Sequence, residues 1–410
     1  MKMKEEQFAK LKKQLERLTK QDGFYARKFD GIDIDSIQTQ SDFERLPFTM
    51  KSDLREAYPL GLQAVPDEDI VRIHSSSGTT GTPIIIPYTQ KDVTDWAIMF
   101  ARCYDTAGIT KLDRIHITPG YGLWTAGIGF QLGAERLGAM TIPMGPGNTD
   151  KQLQMMMDLK STVLCATSSY ALLLAEEIAK RQIADKIHLK KGVIGSERWG
   201  EKMRKRISSE LGIQLYDIYG LTEIYGPGIG ISCDYDAGMH IWDDYVYCEV
   251  VDPITGENLP DGEVGELVIT TLVKEGAPLI RYRTHDLTRI IPGECQCGSP
   301  YPRIDIITGR TDDMTKVKGV NIFPGQIEDL LAAVDGASSE YQVMIDHVNG
   351  KDAMLLSVEC EAGTDKETMQ TMIQSRFKSK IGISITVHAV GIGDLPRSEK
   401  KSKRIIDKRY

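Results

Sequence analysis

Several features are absent from this sequence, and each absence excludes a class of protein. No uninterrupted apolar segment approaches about 20 residues, so no transmembrane helix is expected. Positive charge is not in excess: 50 Lys and Arg stand against 58 Asp and Glu, and the net charge of −8 argues against a general nucleic-acid or anionic-membrane binder. Residues 1–20 have the pattern of a charged amphipathic helix, which a signal peptide lacks. We therefore expect a cytoplasmic protein.

Cysteine is scarce and unevenly placed. Seven cysteines, an odd number in a large chain, speak against a disulfide framework and leave metal binding open. Cys233 and His240 form a Cys-x6-His pair, and Cys295 and Cys297 form a Cys-x-Cys-Gly turn. Three thiols and one imidazole suit a closed, structural, tetrahedral zinc site. The alternative is burial as small apolar side chains, which we expect for the other cysteines: Cys103, Cys165, Cys248 and Cys360.

The pattern of apolar runs indicates an α/β protein with two domains. Residues 1–70 have helical periodicity, and from 71 to about 305 short apolar runs alternate with helical stretches, which predicts a layered α/β domain with ligands at the carboxyl ends of its strands. The composition changes at 309–313, and the residues beyond it predict a compact α+β unit. We therefore predict an N-terminal domain of residues 1–308, with a helical segment at about 1–70, and a smaller, mobile C-terminal domain of residues 309–410.

A loop rich in hydroxyls and glycine is the most informative segment. Residues 74–83 read His-Ser-Ser-Ser-Gly-Thr-Thr-Gly-Thr-Pro, and the apolar run 84–86 that follows predicts a strand. Glycine lets the backbone approach a polyphosphate closely, and the hydroxyls can donate to its oxygens. No Lys-Ser or Lys-Thr pair closes the loop, so it is not a P-loop of the GxxxxGK[ST] kind. The loop predicts a nucleotide-phosphate site of another class; a flexible linker is the alternative.

Three further segments carry groups suited to nucleotide chemistry. Thr222 and Glu223 follow a strand-like start and a Gly turn, where the hydroxyl can donate to a phosphate and the carboxylate can bind Mg²⁺; a helix N-cap with an acidic first turn is the alternative. Asp286 follows a turn and can accept both hydroxyls of a ribose, or instead form a surface salt bridge. The basic run 395–404 offers a lysine for a phosphate, although most such runs are solvated tails.

Together, these segments occur in the order expected of the adenylate-forming superfamily, which the chain resembles over essentially its whole length. The closer resemblance is to the phenylacetate–CoA ligase family. It is carried by six segments: Arg45–Arg55, Ser76–Pro83, Gly120–Trp124, Arg281–Leu287, Lys318–Pro324 and Leu395–Arg404. The resemblance implies a large adenylation domain, a small mobile domain, and an ATP-dependent ligase. Such an enzyme activates an aryl acid, with phenylacetate as the first choice, as an acyl-adenylate and transfers the acyl group to coenzyme A.

The resemblance also implies roles for individual residues. Those that would hold ATP are Ser76, Ser77, Gly78, Thr79, Thr80 and Gly81 at the phosphates, Gly195, Ser196, Glu197, Tyr219 and Gly220 on the adenine side, and Asp286 and Arg310 at the ribose. The catalytic residues would be Thr222 at the α-phosphate, Glu223 on Mg²⁺, and Lys401. Asp312 would be the hinge. An acyl pocket suited to an aryl group would be formed by Tyr121, Trp124 and Gly127.

One departure from the family concerns the catalytic lysine. The family usually has glycine directly before it, whereas Lys400 occupies that place here, and the spacing to Arg404 favours Lys401 over Lys400. The expected partners are the aryl acid, ATP and coenzyme A, without nucleic acid or membrane, and with a homodimer left open. Two other functions also remain open: an adenylyltransferase that transfers AMP to an acceptor without coenzyme A, and a silent nucleotide-binding protein.

Overall fold

The computed structural model describes residues 2–20, 22–76, 82–197, 199–235, 237–348, 351–398 and 404–409. The helices, in chain order, are α1 Glu5–Lys20, α2 Phe24–Lys28, α3 Gln40–Phe43, α4 Lys51–Glu56, α5 Gln90–Thr106, α6 Ala126–Leu137, α7 Thr149–Asp158, α8 Ser168–Lys180, α9 Glu201–Leu211, α10 Pro324–Ala332 and α11 Lys366–Ile381. Short 3₁₀ turns occupy Ile34–Ser36, Asp67–Asp69 and Ala184–Lys186. Within the described ranges, no helix is both long and apolar enough to cross a membrane.

The strands are β1 Ile70–Ser75, β2 Ile85–Thr89, β3 Arg114–Ile117, β4 Met140–Pro143, β5 Val163–Thr167, β6 Lys191–Gly195, β7 Gln214–Leu221, β8 Gly226–Ser232, β9 Met239–Ile241, β10 Val246–Val251, β11 Gly265–Thr271, β12 Tyr282–Thr288, β13 Ile290–Ile291, β14 Arg303–Ile304, β15 Gly309–Arg310, β16 Thr315–Val317, β17 Val320–Ile322, β18 Ala337–Val348, β19 Lys351–Cys360, β20 Thr386–Gly391 and β21 Ile405–Asp407. The apolar run after the hydroxyl-rich loop leads into β2, as predicted. After 323 the elements are α10, β18, β19, α11 and β20, in the order helix, strand, strand, helix, strand.

The described chain divides into two compact units. The first contains Met1–Gly145, Thr162–Cys165 and Tyr216–Ile307. The second contains Pro146–Ser161, Ala166–Leu215 and Thr308–Tyr410. The chain thus leaves the first unit for the last time at the composition change, although the second unit also includes central segments. The boundary between 308 and 309 as a functional domain boundary stays a prediction.

In the first unit, strand pairing changes from parallel to antiparallel along the chain. β3 pairs in parallel with β4 and β5, as the strand–turn–helix alternation predicted. From β7 onward the pairs are antiparallel, in the order β7, β8, β9, β14 and β13. The alternation predicted as far as about 305 is therefore wrong beyond β7. The reason is length: short connections such as 233–238 can join antiparallel strands, whereas a parallel crossover needs a dozen or more residues.

Close packing fixes α5 and α6 against β8 in the first unit. The indole Nε1 of Trp96 donates to the carbonyl oxygen of Pro227, 2.8 Å away. A Cβ atom at Gly133 would lie 2.7 Å from Cβ of Phe100, closer than real Cβ atoms approach. The glycine therefore lets the two helices approach, and the helices in turn hold β8 in place.

The N-terminal helices contribute a second apolar cluster to the first unit. The amphipathic pattern predicted for α1 is confirmed, because its apolar face packs into a buried cluster: Leu11, Leu15, Leu18, Tyr25, Phe29, Phe43, Tyr247, Leu272 and Ile280. The polar side of α1 also takes part. Gln14 Nε2 and Arg17 Nη2 donate to the carbonyl oxygen of Lys274, at 2.6 and 3.3 Å. The helix thus stabilises the backbone just beyond β11.

The C-terminal part of the second unit is a small α+β fold. Its sheet has the order β20–β19–β18–β21, with β18 and β19 antiparallel and the outer strands parallel to their neighbours. Helices α10 and α11 supply the apolar residues that cover the sheet, among them Ile327, Leu330, Leu331, Met369, Ile373 and Phe377. This is the compact α+β unit that the sequence predicted.

A charged bridge links that α+β fold to α8 within the second unit. The guanidinium of Arg397 contacts Glu359 on β19 at 2.8 Å and Glu176 on α8 at 2.7 Å. Glu176 also accepts a hydrogen bond of 2.6 Å from Arg206 on α9. The Glu359 side chain is fully buried and accepts two backbone N–H groups of the 393–395 turn. Arg397 lies in the basic run 395–404, so this part of the run is not a solvated tail.

Candidate functional site

Strand β7 and strand β12 bring two predicted site residues together. The hydroxyl of Tyr219 donates to Oδ2 of Asp286 over 2.7 Å, and both residues are largely buried. The Asp286 backbone N–H donates in turn to the hydroxyl of Thr284. Gly220 is required next to Tyr219, because a Cβ atom there would overlap the carbonyl oxygen of Gly226 on β8. The carboxylate thus lies within β12 and is buried rather than on the surface.

The predicted threonine and glutamate occupy the turn between β7 and β8. The hydroxyl of Thr222 lies 3.2 Å from that of Thr125, just before α6. Glu223 is only 6% exposed, and its Oε1 lies 3.6 Å from Nζ of Lys51. Lys51 begins α4, in the Arg45–Arg55 segment that carried the resemblance, but the sequence analysis gave it no role. The signal that could have identified Lys51 was its place as a cation within the Arg45–Arg55 segment.

Both carbonyls that follow Glu223 are also bound. Nζ of Lys274 donates to the carbonyl oxygen of Ile224, and the hydroxyl of Tyr88 donates to that of Tyr225 over 3.0 Å. Tyr88 lies on β2, the strand that the hydroxyl-rich loop leads into. We name residues 222–225 the Thr-Glu turn. The carbonyl oxygens of Ile224 and Tyr225 thus accept hydrogen bonds from side chains on the segment after β11 and on β2.

The predicted adenine-side residues at the end of β6 have a clear local geometry. Ser196 has φ of 73°, in the left-handed region, so the chain turns sharply after Gly195. Oε1 of Glu197 then accepts the backbone N–H of Ser169 over 2.7 Å and the hydroxyl of Ser168 over 3.1 Å. A carboxylate at a helix N-terminus is favoured by the helix dipole. Glu197 therefore ties this turn to the first residues of α8.

The remaining predicted nucleotide residues divide into described and undescribed ones. The hydroxyl of Ser76 accepts the Ile84 backbone N–H over 2.9 Å, and the Ser76 N–H donates to Ile84, so the two ends of the loop are joined. Arg310 forms a two-point ion pair with the predicted hinge Asp312, at 2.8 and 3.0 Å. Other predicted residues lie outside the described residues: Ser77, Gly78, Thr79, Thr80, Gly81, Lys400 and Lys401.

The predicted acyl-pocket residues surround the start of α6. Tyr121 and Trp124 are half-buried, and the Tyr121 hydroxyl has no hydrogen-bond partner among the described residues. A Cβ atom at Gly127 would lie 2.8 Å from the Tyr121 ring and from two backbone oxygens. Gly127 is therefore needed to let the chain fold back on Tyr121. An unpaired buried hydroxyl beside aromatic surface suits a mostly apolar ligand.

Four predicted metal ligands come together at one end of the first unit. The ligand atoms of Cys233, His240, Cys295 and Cys297 all lie within 4.8 Å of one another. The thiols of Cys233 and Cys295 are 3.6 Å apart, and that of Cys297 is 3.2 Å from Nε2 of His240. Ligands about 2.3 Å from a tetrahedral zinc ion are separated by comparable distances. The donor set therefore fits zinc.

The surroundings of His240 also suit a metal ligand. Its Nδ1 lies 3.1 Å from the carbonyl oxygen of Tyr301, which leaves Nε2 facing the thiols. Such a bond to the second nitrogen is typical of metal-bound histidine. Burial lowers the pKa of His240 below its usual range, which favours the neutral, ligating form. Arg303 on β14 holds the loops, donating to the carbonyls of Ala237, Gly293 and Glu294.

Comparisons with known proteins agree with this geometry. Residues 10–272 match the family model described as AMP-binding enzyme, and residues 319–409 match the AMP-binding enzyme C-terminal domain. Phenylacetate-coenzyme A ligase of Escherichia coli strain K12 is 44% identical over 94% of this chain and 90% of its own length. The enzyme of that name from Pseudomonas putida is 43% identical over 92% of this chain and 88% of its own.

This chain belongs to the phenylacetate–CoA ligase family. A solved structure of 2-hydroxyisobutyryl-CoA ligase in the postadenylation state, with an acyl-AMP bound, matches with a TM-score of 0.88 and 29% identity, over 98% of this chain and 89% of that one. The predicted resemblance and the α/β adenylation fold are therefore confirmed. The protein is an AMP-forming acid–CoA ligase that works through an acyl-adenylate, and ATP and coenzyme A are its substrates. Of the functions left open by the sequence, ligation is the supported one.

We predict that Tyr219→Phe weakens ATP use. The substitution removes the hydroxyl that donates to the Asp286 carboxylate, and hydrogen bonds to charged groups contribute about 1.5–3 kcal/mol. The KM for ATP should rise roughly tenfold, with the KM for the acid unchanged, in steady-state assays of AMP release.

The matched control is Tyr216→Phe on the same strand, whose hydroxyl donates to Asp234 instead. It should leave the KM for ATP unchanged. A Tyr219→Phe enzyme with wild-type KM for ATP would show that this contact does not position the nucleotide.

Proposed function

We propose that this ligase activates an aryl carboxylic acid, with phenylacetate as the first choice, and functions in phenylacetate catabolism. The observation that carries the proposal is that relatives named for this reaction match more than nine-tenths of the chain at more than 40% identity. The half-buried rings of Tyr121 and Trp124 support an aromatic substrate. We expect the reaction to take place in the cytoplasm, where ATP and coenzyme A are both available.

The first chemical step joins two anions, so it needs positive charge and positioning rather than a protein nucleophile. The acid carboxylate attacks the α-phosphorus of ATP, the bond to the bridging oxygen breaks, and pyrophosphate leaves. In the proposal Thr222 donates to the α-phosphate, Glu223 binds Mg²⁺ and Lys401 contributes a cation. Bound Mg²⁺ would neutralise charge on the phosphates. The low exposure of Glu223 and its lysine neighbour support a cation-binding role.

The resemblance implies the contacts that would bind the nucleotide. Asp286, oriented by Tyr219, would accept the ribose hydroxyls, and the turn at Gly195–Glu197 would follow the adenine. The hydroxyl-rich loop of residues 76–81 would bind the phosphates, and Arg310 would lie near the ribose. These roles rest on the resemblance and on the contacts described for each residue.

In the second step the thiolate of coenzyme A attacks the acyl carbon of the adenylate and AMP leaves. The cation at Lys401 has no use in this step. We therefore propose that residues 309–410 move as a domain about Asp312, which removes Lys401 and brings the Lys318–Pro324 segment to coenzyme A. A homodimer is the assembly that we expect from the family.

We also propose that Cys233, His240, Cys295 and Cys297 hold a structural zinc ion. The convergence of four ligand atoms and the oriented imidazole support this assignment. All four coordination positions would be filled by the protein, so the metal would join the loop after β8 to the loop between β13 and β14 and take no part in the chemistry.

An acid-panel assay tests the proposed substrate. AMP release should be fastest with phenylacetate among aryl and short aliphatic acids, and it should depend on coenzyme A. Release that is equally fast without coenzyme A would instead favour an adenylyltransferase. A faster rate with an aliphatic acid would refute the aryl assignment.

Lys401→Ala should separate the two half-reactions. Pyrophosphate exchange should fall by at least about 10²-fold, the scale for a lost electrostatic group, while a supplied acyl-adenylate should still react with coenzyme A. Lys400→Ala is the matched control and should keep most of the exchange activity. Equal losses in both half-reactions of Lys401→Ala would contradict the proposed division of labour.

Zinc can be tested by elemental analysis of the purified protein. We expect about one zinc per chain, and Cys295→Ser should lower both the zinc content and the melting temperature, because a tetrahedral site loses one of its four ligands. Cys360→Ala, at a buried cysteine of the C-terminal sheet, should keep its zinc. Wild-type protein without zinc would overturn the assignment.

A further inference from the structure

Lys274 is a buried cation that none of the proposed steps uses. Its side chain has no exposed surface, and Nζ lies 4.6 Å from the ring centre of Tyr88 and 4.8 Å from that of Tyr225. The ammonium donates to the carbonyl oxygen of Ile224, directly after Glu223. The backbone of Lys274 is itself held by Gln14 and Arg17 of α1. The lysine is therefore fixed at both its backbone and its charged end.

The position is costly for a charged group. A buried lysine is tolerated only with compensating partners, and here no carboxylate is paired with it at salt-bridge distance among the contacts of the described residues. Burial lowers the pKa of Lys274 from 10.5 to about 7, with Asp92 and Glu223 raising it. The unfolded chain therefore binds more protons than the folded chain between pH 7 and 10.5, so the lysine lowers stability as the pH falls through that window. A residue kept at a cost to stability is a candidate for a functional role.

The neighbours of Lys274 point to that role. Its acceptor belongs to the Thr-Glu turn, and the next carbonyl of that turn accepts from Tyr88 on β2. Besides the Asp92 and Glu223 carboxylates, which act on the ammonium electrostatically, its neighbours are aromatic. They are the Tyr88 and Tyr225 rings, with the imidazole of His74 edge-on to Tyr88. Burial lowers the pKa of His74 to about 4, so this histidine is neutral in the working range.

We infer that Lys274 is a positioning residue: by binding the Ile224 carbonyl it orients the Glu223 carboxylate towards the Mg²⁺ of Mg-ATP. This inference rests on the proposed role of Glu223. Groups that orient a metal ligand without touching the metal typically affect metal affinity about 10–100-fold when removed. Lys274 also explains why Glu223 can be held almost fully buried before a metal ion arrives: Lys51 lies against its carboxylate, and Lys274 holds its backbone.

The test is Lys274→Met, which keeps the length and apolar stem of the side chain but removes the charge and the donor. The Mg²⁺ concentration for half-maximal pyrophosphate exchange should rise at least about tenfold. The reaction of a supplied acyl-adenylate with coenzyme A needs no metal–triphosphate complex and should stay within about twofold of wild type. At saturating Mg²⁺, the KM for the acid should also stay within about twofold.

Two further measurements separate positioning from a purely structural role. Tyr104→Phe removes another buried donor to a backbone carbonyl, that of Phe130, and should lower the melting temperature without changing the Mg²⁺ dependence. Compared with wild type, Lys274→Met should become relatively more stable as the pH is lowered from 9.5 to 6.5, because only the wild-type protein must bury an ammonium.

Each outcome has a distinct meaning. An active Lys274→Met enzyme with wild-type Mg²⁺ dependence would overturn the inference while leaving the proposed function intact. Wild-type protein that catalyses no pyrophosphate exchange with any acid would instead overturn the proposed function. A Mg²⁺ dependence that changes equally in Tyr104→Phe would show that loss of any buried donor has this effect, and would also overturn the inference.

Discussion

The candidate site depends on one constraint, the fixing of the Thr-Glu turn. Four successive residues of this turn are held by four distant parts of the chain: Thr125 before α6, Lys51 at the start of α4, Lys274 after β11, and Tyr88 on β2. None of these contacts is local in sequence, so the turn forms only when the whole first unit is folded. Preorganised groups need no rearrangement when charge develops in the reaction. Four polar contacts from distant parts of the chain thus fix one short segment.

The Cys₃His cluster would restrain the other end of β8 in a similar way. That strand begins next to the Thr-Glu turn and ends at Cys233, while β12, which carries Asp286, is followed by the strands that flank Cys295 and Cys297. A metal ion joining these loops would therefore restrain β8, which begins next to the Thr-Glu turn, and the chain that follows β12. Arg303 supports the same loops through three backbone carbonyls.

Much of the fold was predictable because its signals are local. The apolar run at 84–86 predicted β2, and the alternation of short apolar runs with helical stretches predicted the parallel strands β3, β4 and β5. The change in composition near 309 coincides with the last boundary between the units. The antiparallel strands beyond β7 were missed, because alternating strands with short turns look like the strand ends of an α/β pattern. The grouping of the four metal ligands was predictable from residue type and order. Lys274 was not, since a lysine after a strand reads as exposed, and only tertiary packing buries it.

The bridge at Arg397 has an energetic consequence for any motion of the C-terminal α+β fold away from α8. Glu176 is shared with Arg206, and Arg397 shares its charge with Glu359, which lies on the same side as Arg397 itself. Parting the two sides would therefore leave two intact ion pairs rather than stranded charges. The bridge therefore stabilises the closed contact, yet separation would leave no buried charge without an ion-pair partner on either side.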